Sequence, residues 1–285
     1  FSMGQISQAS GHVGGKFVVE GNTNHPKING NLTFKNAEMK PAFLNNTIFL
    51  KDESITLKTD GIYFNAFTIR DLNQQKAVVD GSIKMKEFSD FRFNLKVDSK
   101  DFLLFNTTAK DNNLFYGKMI IDSDIDISGP LSLPVVRARL KMKSGSRFSF
   151  VVPEEQLTTY KGEDIIIFTD STKKEHLEQE TATTGFSGFD LSSVIEVDKD
   201  ATLRLFMDPA SSDSLVVKGD AALSLTMDRS GKMSLTGTYN VNEGSYLVSL
   251  QSIIKKKFGI VPGSTIVWNG DPMDANININ ASYMV

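Results

Sequence analysis

Alternation of apolar and polar residues is the feature that most constrains how this chain can fold. In the stretch FRFNLKV, Phe91, Phe93 and Leu95 alternate with charged or polar residues at every second position. Because successive side chains of a β-strand point to opposite sides, such a stretch has one apolar and one polar face. The same period recurs in MIIDSDIDI, ATLRLFMD, AALSLTMD and the closing ANININA. The sequence therefore predicts an all-β fold built from sheet with one apolar face.

Departures from this period mark turns, a long loop and two candidate helices. DRSGK at 228–232 predicts a tight hairpin, and NVNEGSY at 240–246 predicts a second turn. The stretches 101–109 and 250–258 have irregularly spaced apolar residues and are candidate short helices. The polar stretch 153–190 predicts a loop or insertion that is partly flexible.

A strand unit that opens with glycine occurs three times in the chain. GNTNHPKINGNLTF and GPLSLPVVRARLKM both read Gly, four residues, Pro and then apolar or small residues at every second position, with Pro26 and Pro134 in equivalent places. The third copy begins at Gly270 and has Ala275 where the others have Pro. Repeated units that pack on their neighbours are typical of elongated architectures. We therefore expect an elongated, open sheet whose first part, residues 1–152, consists of groove-forming repeats.

Composition and charge exclude several classes of protein. The net charge is -3, so we expect no nucleic-acid partner, and the absence of cysteine excludes disulfides and thiolate chemistry. The basic run Lys255, Lys256 and Lys257 is typical of a solvated face, with contact to acidic lipid headgroups as the alternative. The opening stretch FSMGQISQAS has no basic segment leading into an apolar core, so we do not expect it to be a signal peptide, and no apolar run reaches membrane-helix length. We expect it to be an excerpt of a longer polypeptide whose membrane anchor lies outside it.

Catalytic motifs are incomplete wherever they are approached. The glycine-rich stretch SGHVGGKF lacks the first glycine and the hydroxyl residue that a phosphate-binding loop requires. GFSGF has Phe189 where a nucleophile elbow requires glycine. We therefore expect no enzyme, no catalytic residues and no cofactor.

The stretch DSDIDISG resembles the start of a calcium-binding loop but departs from it at two required positions. Ile127 and Leu133 stand where that loop needs glycine and glutamate. Alternation with isoleucine explains Asp122, Asp124 and Asp126 as the wet face of a strand. The three histidines, His12, His25 and His176, have no metal-ligand spacing. We therefore predict no metal site.

The C-terminal third, from GTYNVNEGSYLVSL onward, closely resembles the C-terminal domain of the TamB family, the translocation and assembly module of Gram-negative bacteria. The residues that carry the resemblance are 237–239, 244–246, Lys257, Phe258, Gly263, Ser264, Trp268, 270–272 and 277–283. Upstream, VDGSIKMKEFSDFRFNLKV and NTTAKDNNLFYG look like a Bacteroidetes-type form of the family, so the resemblance covers nearly the whole chain. The family often has Pro where Ala275 stands here.

The resemblance implies a fold, a location and partners. The fold would be a long sheet curled into a U-shaped trough, or β-taco, as in the AsmA-like bridge-type lipid transfer superfamily, with 191–285 as the TamB C-terminal segment. The family's proteins are anchored in the inner membrane by an N-terminal helix and bridge the periplasm to the outer membrane. There the C-terminal part meets a TamA-type barrel. Phospholipid passage and help in outer-membrane protein assembly are the implied roles.

Three functional hypotheses follow from the sequence. In the first, an apolar groove holds the acyl chains of phospholipids, because each buried methylene contributes about 0.8 kcal/mol. About sixteen strands would make this groove roughly 75 Å long. In the second, exposed edge strands serve as a chaperone or scaffold for outer-membrane proteins. In the third, a closed sandwich binds nothing. The predicted groove-lining residues are Ile28, Leu32, Phe34, Phe91, Phe93, Leu95, Leu140, Met142, Leu203, Leu205, Leu223, Leu225, Ile277 and Ile279.

Overall fold

The computed structural model of the chain describes residues 6–22, 25–42, 44–86, 90–151, 188–208, 213–250 and 254–283. All regular elements in these ranges are β-strands, and all eighteen belong to one sheet. The predicted all-β fold is confirmed. The strands are β1 (Ile6–Asn22), β2 (His25–Pro41), β3 (Ile48–Leu50), β4 (Glu53–Lys58), β5 (Gly61–Arg70), β6 (Lys76–Lys86), β7 (Asp90–Thr107), β8 (Phe115–Pro130), β9 (Val135–Met142), β10 (Arg147–Val151), β11 (Asp190–Val197), β12 (Thr202–Asp208), β13 (Asp213–Met227), β14 (Met233–Leu250), β15 (Ile254–Ile260), β16 (Ser264–Gly270), β17 (Ala275–Asn278) and β18 (Ala281–Ser282).

Five pairs of these strands lie end to end along one neighbour, so the eighteen strands form thirteen rows. For example, β9 and β10 both run antiparallel to β8, β9 opposite its second half and β10 opposite its first few residues. The pairs are β3 with β4, β9 with β10, β11 with β12, β15 with β16, and β17 with β18. At about 4.8 Å between rows, the sheet extends about 58 Å across its strands. The expected sixteen separate strands and 75 Å are wrong, because the sequence does not reveal that one row continues after a break.

Nearly all neighbouring rows are antiparallel and follow one another along the chain. The exception is the contact of β9 with β11 and of β10 with β12, which are parallel. The chain reaches this parallel neighbour through residues 152–187, which lie outside the described residues, as does almost all of the loop predicted at 153–190. Its last residue, Asp190, begins β11 opposite Val135.

One face of the sheet is apolar across all thirteen rows, and we call it the apolar face. Cross-strand partners project to the same side, so register carries the assignment from row to row. A single line of partners across six consecutive rows reads Val79, Val97, Ile125, Ala138, Ser193 and Leu225. The opposite side, called the polar face, carries most of the charged residues. Alternation in β6, β8, β9, β11 and the first part of β7, up to Ser99, therefore places the apolar residues of these rows on the same face.

Breaks and bulges occur at matching positions in β7 to β18, and we call this the interruption line. It comprises the bulge at 100–101 in β7, the breaks at 143–146 and 198–201, Asn242 in β14, and the breaks at 261–263 and 279–280. The strand registers place these interruptions opposite one another in neighbouring rows. For example, Met142, the residue before the break at 143–146, pairs with Val197, the residue before the break at 198–201, and Val197 pairs with Ala221. Two serine hydroxyls bridge these gaps. Ser146 Oγ accepts a hydrogen bond from the Ile120 N–H and donates to its carbonyl, and Ser264 Oγ accepts from the Asn280 N–H.

A second series of irregularities crosses β1 to β5. It comprises Gly11, Asn36, the break at 51–52 and the bulge at 65–66, where the Ala66 N–H donates to Asp80 Oδ1. Bulges bend a strand and increase its local twist. Every described row from β1 to β5 and most rows from β7 to β18 thus have a bend point within the strand.

Burial is greatest beside these interruptions, where two hydrophobic clusters lie, and further buried residues such as Leu103 and Ile121 lie in the rows between them. The C-terminal cluster contains Val217, Tyr239, Val241 and Ile266, each of which is almost completely buried. The N-terminal cluster is smaller and consists of Ala37, Leu50 and Phe67, with Phe34 and Phe67 in edge-to-face contact at 5.8 Å. The two clusters share no residue.

Three local predictions are wrong, and one is confirmed. The first candidate helix, 101–109, lies mostly in β7, where a bulge at Asp101 interrupts the alternation and brings Phe102 and Leu103 into adjacent buried positions. In the second, 250–258, residues 251–253 lie outside the described residues, and the rest contains the start of β15, where Lys256 occupies an apolar position. The turn predicted at 240–246 is continuous strand, because one extra residue, Asn242, forms a bulge there. The 228–232 hairpin is confirmed.

Candidate functional site: the apolar face

The fourteen predicted lining residues come together on the apolar face. Register gives thirteen of them this position, for example Phe93 opposite Ile83, Leu205 opposite Leu215 and Ile277 opposite Ile266. Ile279 lies in the break between β17 and β18 and packs against the C-terminal cluster. The sequence pattern thus selected one side of one sheet from segments far apart in the chain. That these residues contact a lipid stays a prediction.

Exposure on the apolar face increases from the interruption line toward the strand ends and edges. Met142, Leu205 and Leu223 lie close to the line and are buried, whereas Phe93 in β7 is half-buried. At one edge of the sheet Ile277 is 38% exposed, and at the other edge Val19 in β1 is 65% exposed. The face therefore combines a buried middle with accessible margins.

The apolar face has very few charges. Among residues whose side chains the structure describes, register assigns Glu53, Asp213 and Lys256 to this face, each within three residues of a strand end. Glu53 accepts a hydrogen bond from the Thr68 N–H, and Asp213 accepts one from the Ser249 N–H. Burying an unpaired charge on an apolar surface is costly. Restriction of the charges to strand ends leaves the rest of the face suitable for apolar groups.

Tyr239 is the largest fully buried side chain of the C-terminal cluster, and its hydroxyl has no hydrogen-bond partner among the described residues. Burial raises the pKa of Tyr239 well above its ordinary value, and the negative charge of Asp220 adds to the effect. The ring lies over Gly219, where a Cβ would be 2.9 Å from Tyr239 Cε1 and 1.9 Å from the Asn240 carbonyl oxygen. Only glycine fits at 219, because any larger residue would displace both the ring and the neighbouring strand.

Aromatic contacts continue the apolar face at two further places. Phe105, Phe115 and Phe148 lie in three adjacent rows with their ring centroids 6.3 Å apart. At the C-terminal edge Phe258 and Tyr283 lie 5.4 Å apart. Such pairs stabilise a packed surface beyond the area that they bury.

The polar face is covered by charges that compensate one another across strands. Asp122, Asp124 and Asp126 lie opposite Lys141, Arg139 and Arg137 of β9. This arrangement supports the interpretation of the DSDID stretch as the wet side of a strand, and no cluster of metal-ligating side chains occurs in the described part of the chain.

Lys143 bridges two carboxylates of the polar face. Its Nζ lies 2.8 Å from Asp122 Oδ2 and 3.3 Å from Asp101 Oδ1. Burial acts to raise the pKa of Asp122, but hydrogen bonds from Lys143 and from the Asp101 N–H outweigh it, so the pKa lies below its ordinary value. The contact joins β7 and β8 to the break that follows β9.

An open depression of about 660 Å³ lies on the polar face beside the interruption line. Lys141, Glu196, Asp220 and Asn240 contribute to its lining, and the Asn240 amide donates to Asp220 Oδ2. It lies on the opposite side of the sheet from the predicted lining residues.

Sequence reasoning missed the most buried part of the apolar face. Val217, Tyr239, Ile266 and Trp268 form the centre of the C-terminal cluster and were absent from the predicted set. The alternation of Ser264, Ile266 and Trp268 in STIVWNG was the signal that could have identified two of them. Tyr239 had the same signal, because Met233, Leu235, Tyr239 and Val241 alternate with polar residues in MSLTGTYNV.

The described strands form a single sheet with one continuous apolar face and two edge rows. These features define a protein that offers a long apolar surface rather than a reactive pocket. The described residues include no apolar helix of the length needed to cross a membrane. The family model of the TamB C-terminal domain matches residues 65–285. The chain belongs to the TamB family, as its resemblance implied.

Family membership gives the general role of the chain. TamB proteins are transport and assembly modules, not a known enzyme family, and they act in outer-membrane assembly and lipid transport. They are envelope proteins of Gram-negative bacteria that span the periplasm and work with TamA-type partners. No curated protein and no solved structure matches the chain.

Proposed function

We propose that this chain is a length of trough whose apolar face carries phospholipids between the inner and outer membranes. The observation that carries the proposal is the continuity of that face across thirteen rows with charges only near strand ends. Acyl chains gain about 0.8 kcal/mol for each methylene removed from water, and a uniform surface offers similar contacts along its length. A lipid held in this way can slide without a specific binding residue.

Bending of the sheet along the interruption line gives the trough its shape. Bulges and breaks at matching positions allow each row to turn within its length, and curved sheets depend on such devices. Val217, Tyr239 and Val241 lie beside the line and are nearly inaccessible, although the described strands form one sheet without a second layer. These residues would form the floor of the trough, and the half-buried positions toward the strand ends would form its walls.

Phe93→Arg tests the proposal, with Asn94→Arg as the matched control on the polar face. Phe93 is half-buried on the apolar face, and Asn94 is the next residue of β7 and exposed. We expect Phe93→Arg to stop transfer of a fluorescent phospholipid between vesicles, because it places a charge in the acyl path. Asn94→Arg should leave transfer unchanged.

Circular dichroism and thermal unfolding of both variants distinguish a blocked trough from a damaged fold. A folded Phe93→Arg variant with normal transfer would contradict the proposal. Unfolding of Phe93→Arg would indicate a sealed core at this position, as in a closed sandwich. Leu205 is only 9% exposed, so Leu205→Arg should unfold the protein and serves as the reference for that outcome.

A second candidate function is a chaperone or scaffold for outer-membrane barrel proteins that acts with a TamA-type partner. The edge row β1 favours it, because all seventeen residues of this strand are exposed and β2 is its pairing partner among the described strands. Long exposed edges can be completed by an incoming strand. An assembling barrel strand would extend the sheet by one row.

Val18→Lys tests this second function, because lysine on an edge strand discourages further pairing. Asn29, its cross-strand partner one row further in, provides the control variant Asn29→Lys on the same face. The chaperone role would be supported if Val18→Lys slowed the assembly of a reconstituted barrel protein and Asn29→Lys did not. Lipid transfer should be unchanged in both variants. Equal assembly rates in both variants would exclude β1 as the edge that acts.

A further inference from the structure

Lys256 differs from other cations of the described strands in the face that it occupies. In the pairing of β15 with β14 it lies opposite Val248, while Phe258 lies opposite Tyr246 on the apolar face. Lys257 lies opposite Leu247 and therefore projects to the polar face. The same registers assign the other Lys and Arg residues of the described strands to the polar face or, for Lys100, to the bulge in β7.

Lys256 also lacks an anionic partner within the described part of the protein. Some cations of the polar face pair closely with carboxylates, as Lys84 does with Asp60 at 2.8 Å. No described carboxylate lies within 4.0 Å of Lys256 Nζ, which instead lies 5.5 Å from the ring centre of Tyr283. An exposed ammonium group on an apolar face is thus available to an anion from outside the chain.

The surroundings of Lys256 have the character of an interface between apolar and aqueous regions. Lys256 is the third residue of β15 and lies four residues, about 13 Å, from Ile260, which is buried beside the interruption line. The rings of Phe258 and Tyr283 stand between the charge and that buried region. Tyrosine and lysine are favoured where one end of a side chain contacts apolar groups and the other contacts water.

We propose that Lys256 binds the phosphate group of a phospholipid whose acyl chains lie on the apolar face. The inference rests on the proposed trough and adds to it a headgroup contact at the C-terminal edge. An ammonium group is a strong point-charge partner for phosphate, and the apolar strip that leads from Phe258 to Ile260 accepts the attached chains. A phosphate without acyl chains would gain only the charge contact, so the site favours the lipid.

Native mass spectrometry of the purified 285-residue chain tests this with two probes that share the same acyl chains. Phosphatidylglycerol carries the phosphate, and diacylglycerol lacks it. Lys256→Glu should reduce the affinity for phosphatidylglycerol roughly tenfold or more, since a hydrogen bond to a charged group is lost. Lys257→Glu makes the same charge change on the polar face, and we expect less than a twofold effect. Diacylglycerol binding should be unchanged in both variants.

The outcomes separate this inference from the proposed function. Failure of the unmodified chain to bind either lipid overturns both. If the unmodified chain binds both lipids, and Lys256→Glu and Lys257→Glu reduce the affinity for phosphatidylglycerol equally, the role of Lys256 is overturned. The proposed trough is then unaffected. Full competition by inorganic phosphate at the lipid's own concentration identifies a free-anion site and also overturns the inference. Lys256→Gln with unchanged circular dichroism checks that a loss is not caused by misfolding.

Discussion

At the scale of single residues, the Tyr239 hydroxyl is a buried polar group. No hydrogen bond within the described structure compensates its loss of contact with water. Tyr239→Phe removes the hydroxyl and keeps the ring over Gly219. We expect the free energy of unfolding to stay the same or to rise by up to about 1 kcal/mol, because no hydrogen bond is lost. Urea denaturation measures it, and a loss above 1 kcal/mol would reveal a partner for the hydroxyl.

A pH-dependent contribution is expected from the contact between Lys143 and Asp122. The pKa of Asp122 is lowered in the folded state, so its stabilising effect is present above the unfolded value near 4. It is lost as the pH falls through the lower folded value. Lys143→Gln should therefore cost up to about 1 kcal/mol at pH 7, since the pair is partly exposed.

The same contact gives a second measurement on the Lys143→Gln variant. The difference in unfolding free energy between the variant and the unmodified chain should shrink as the pH is lowered below 4, where Asp122 becomes protonated. Lys96→Gln, which alters a longer exposed ion pair at 3.6 Å, provides a comparison with a smaller expected effect. A difference that is constant from pH 7 to pH 2 would contradict the electrostatic explanation.

At the scale of strands, the rows remain continuous because serine hydroxyls replace missing ladder bonds. Ser146→Ala should leave the Ile120 N–H unpaired, although the Ile120 carbonyl still accepts from the Lys143 N–H, and Ser264→Ala should leave the Asn280 N–H unpaired. Each change should lower the free energy of unfolding by about 1 to 3 kcal/mol. Ser224, an exposed serine of β13, supplies the control Ser224→Ala, and similar losses in all three variants would show that the hydroxyl bridges do not matter.

The strand scale also explains what the sequence could and could not predict. Phe91, Phe93 and Leu95 gave the correct face, because the first part of β7, before its bulge, keeps a strict period of two. The bulges at Asp101 and Asn242 shift the period by one residue, so the same rule produced a false helix and a false turn. The continuation of β9 into β10 across the break at 143–146 depends on the pairing of both strands with β8. No local sequence pattern contains that long-range register.

The repeated glycine unit is a further case in which a local pattern had a structural cause. Its three copies correspond to the hairpins between β1 and β2, β8 and β9, and β16 and β17, with Gly21 directly opposite Pro26. The sequence therefore identified equivalent turns but could not give the offset between the strands that flank them. The exposed position of Lys256 on the apolar face likewise required the register of β15.

At the scale of the whole molecule, the two clusters predict that the sheet does not unfold as one unit. Residues of the N-terminal cluster lie in β2 to β6 and those of the C-terminal cluster in β10 to β17, so no packed side chain belongs to both. Where each row contacts only its neighbours, stability is approximately the sum of the contacts between neighbouring rows. The molecule should accordingly lose its two ends at different denaturant concentrations.

Trp268, the one tryptophan of the chain, lies in the C-terminal cluster and reports on that end alone. Ile266→Ala should lower the fluorescence midpoint in urea, because it removes a fully buried side chain at a cost of about 2 to 5 kcal/mol. Leu50→Ala removes a similar volume from the N-terminal cluster and should change the transition seen by far-ultraviolet circular dichroism while leaving the Trp268 midpoint in place. Equal shifts of that midpoint in both variants would mean that the thirteen rows unfold as a single cooperative unit.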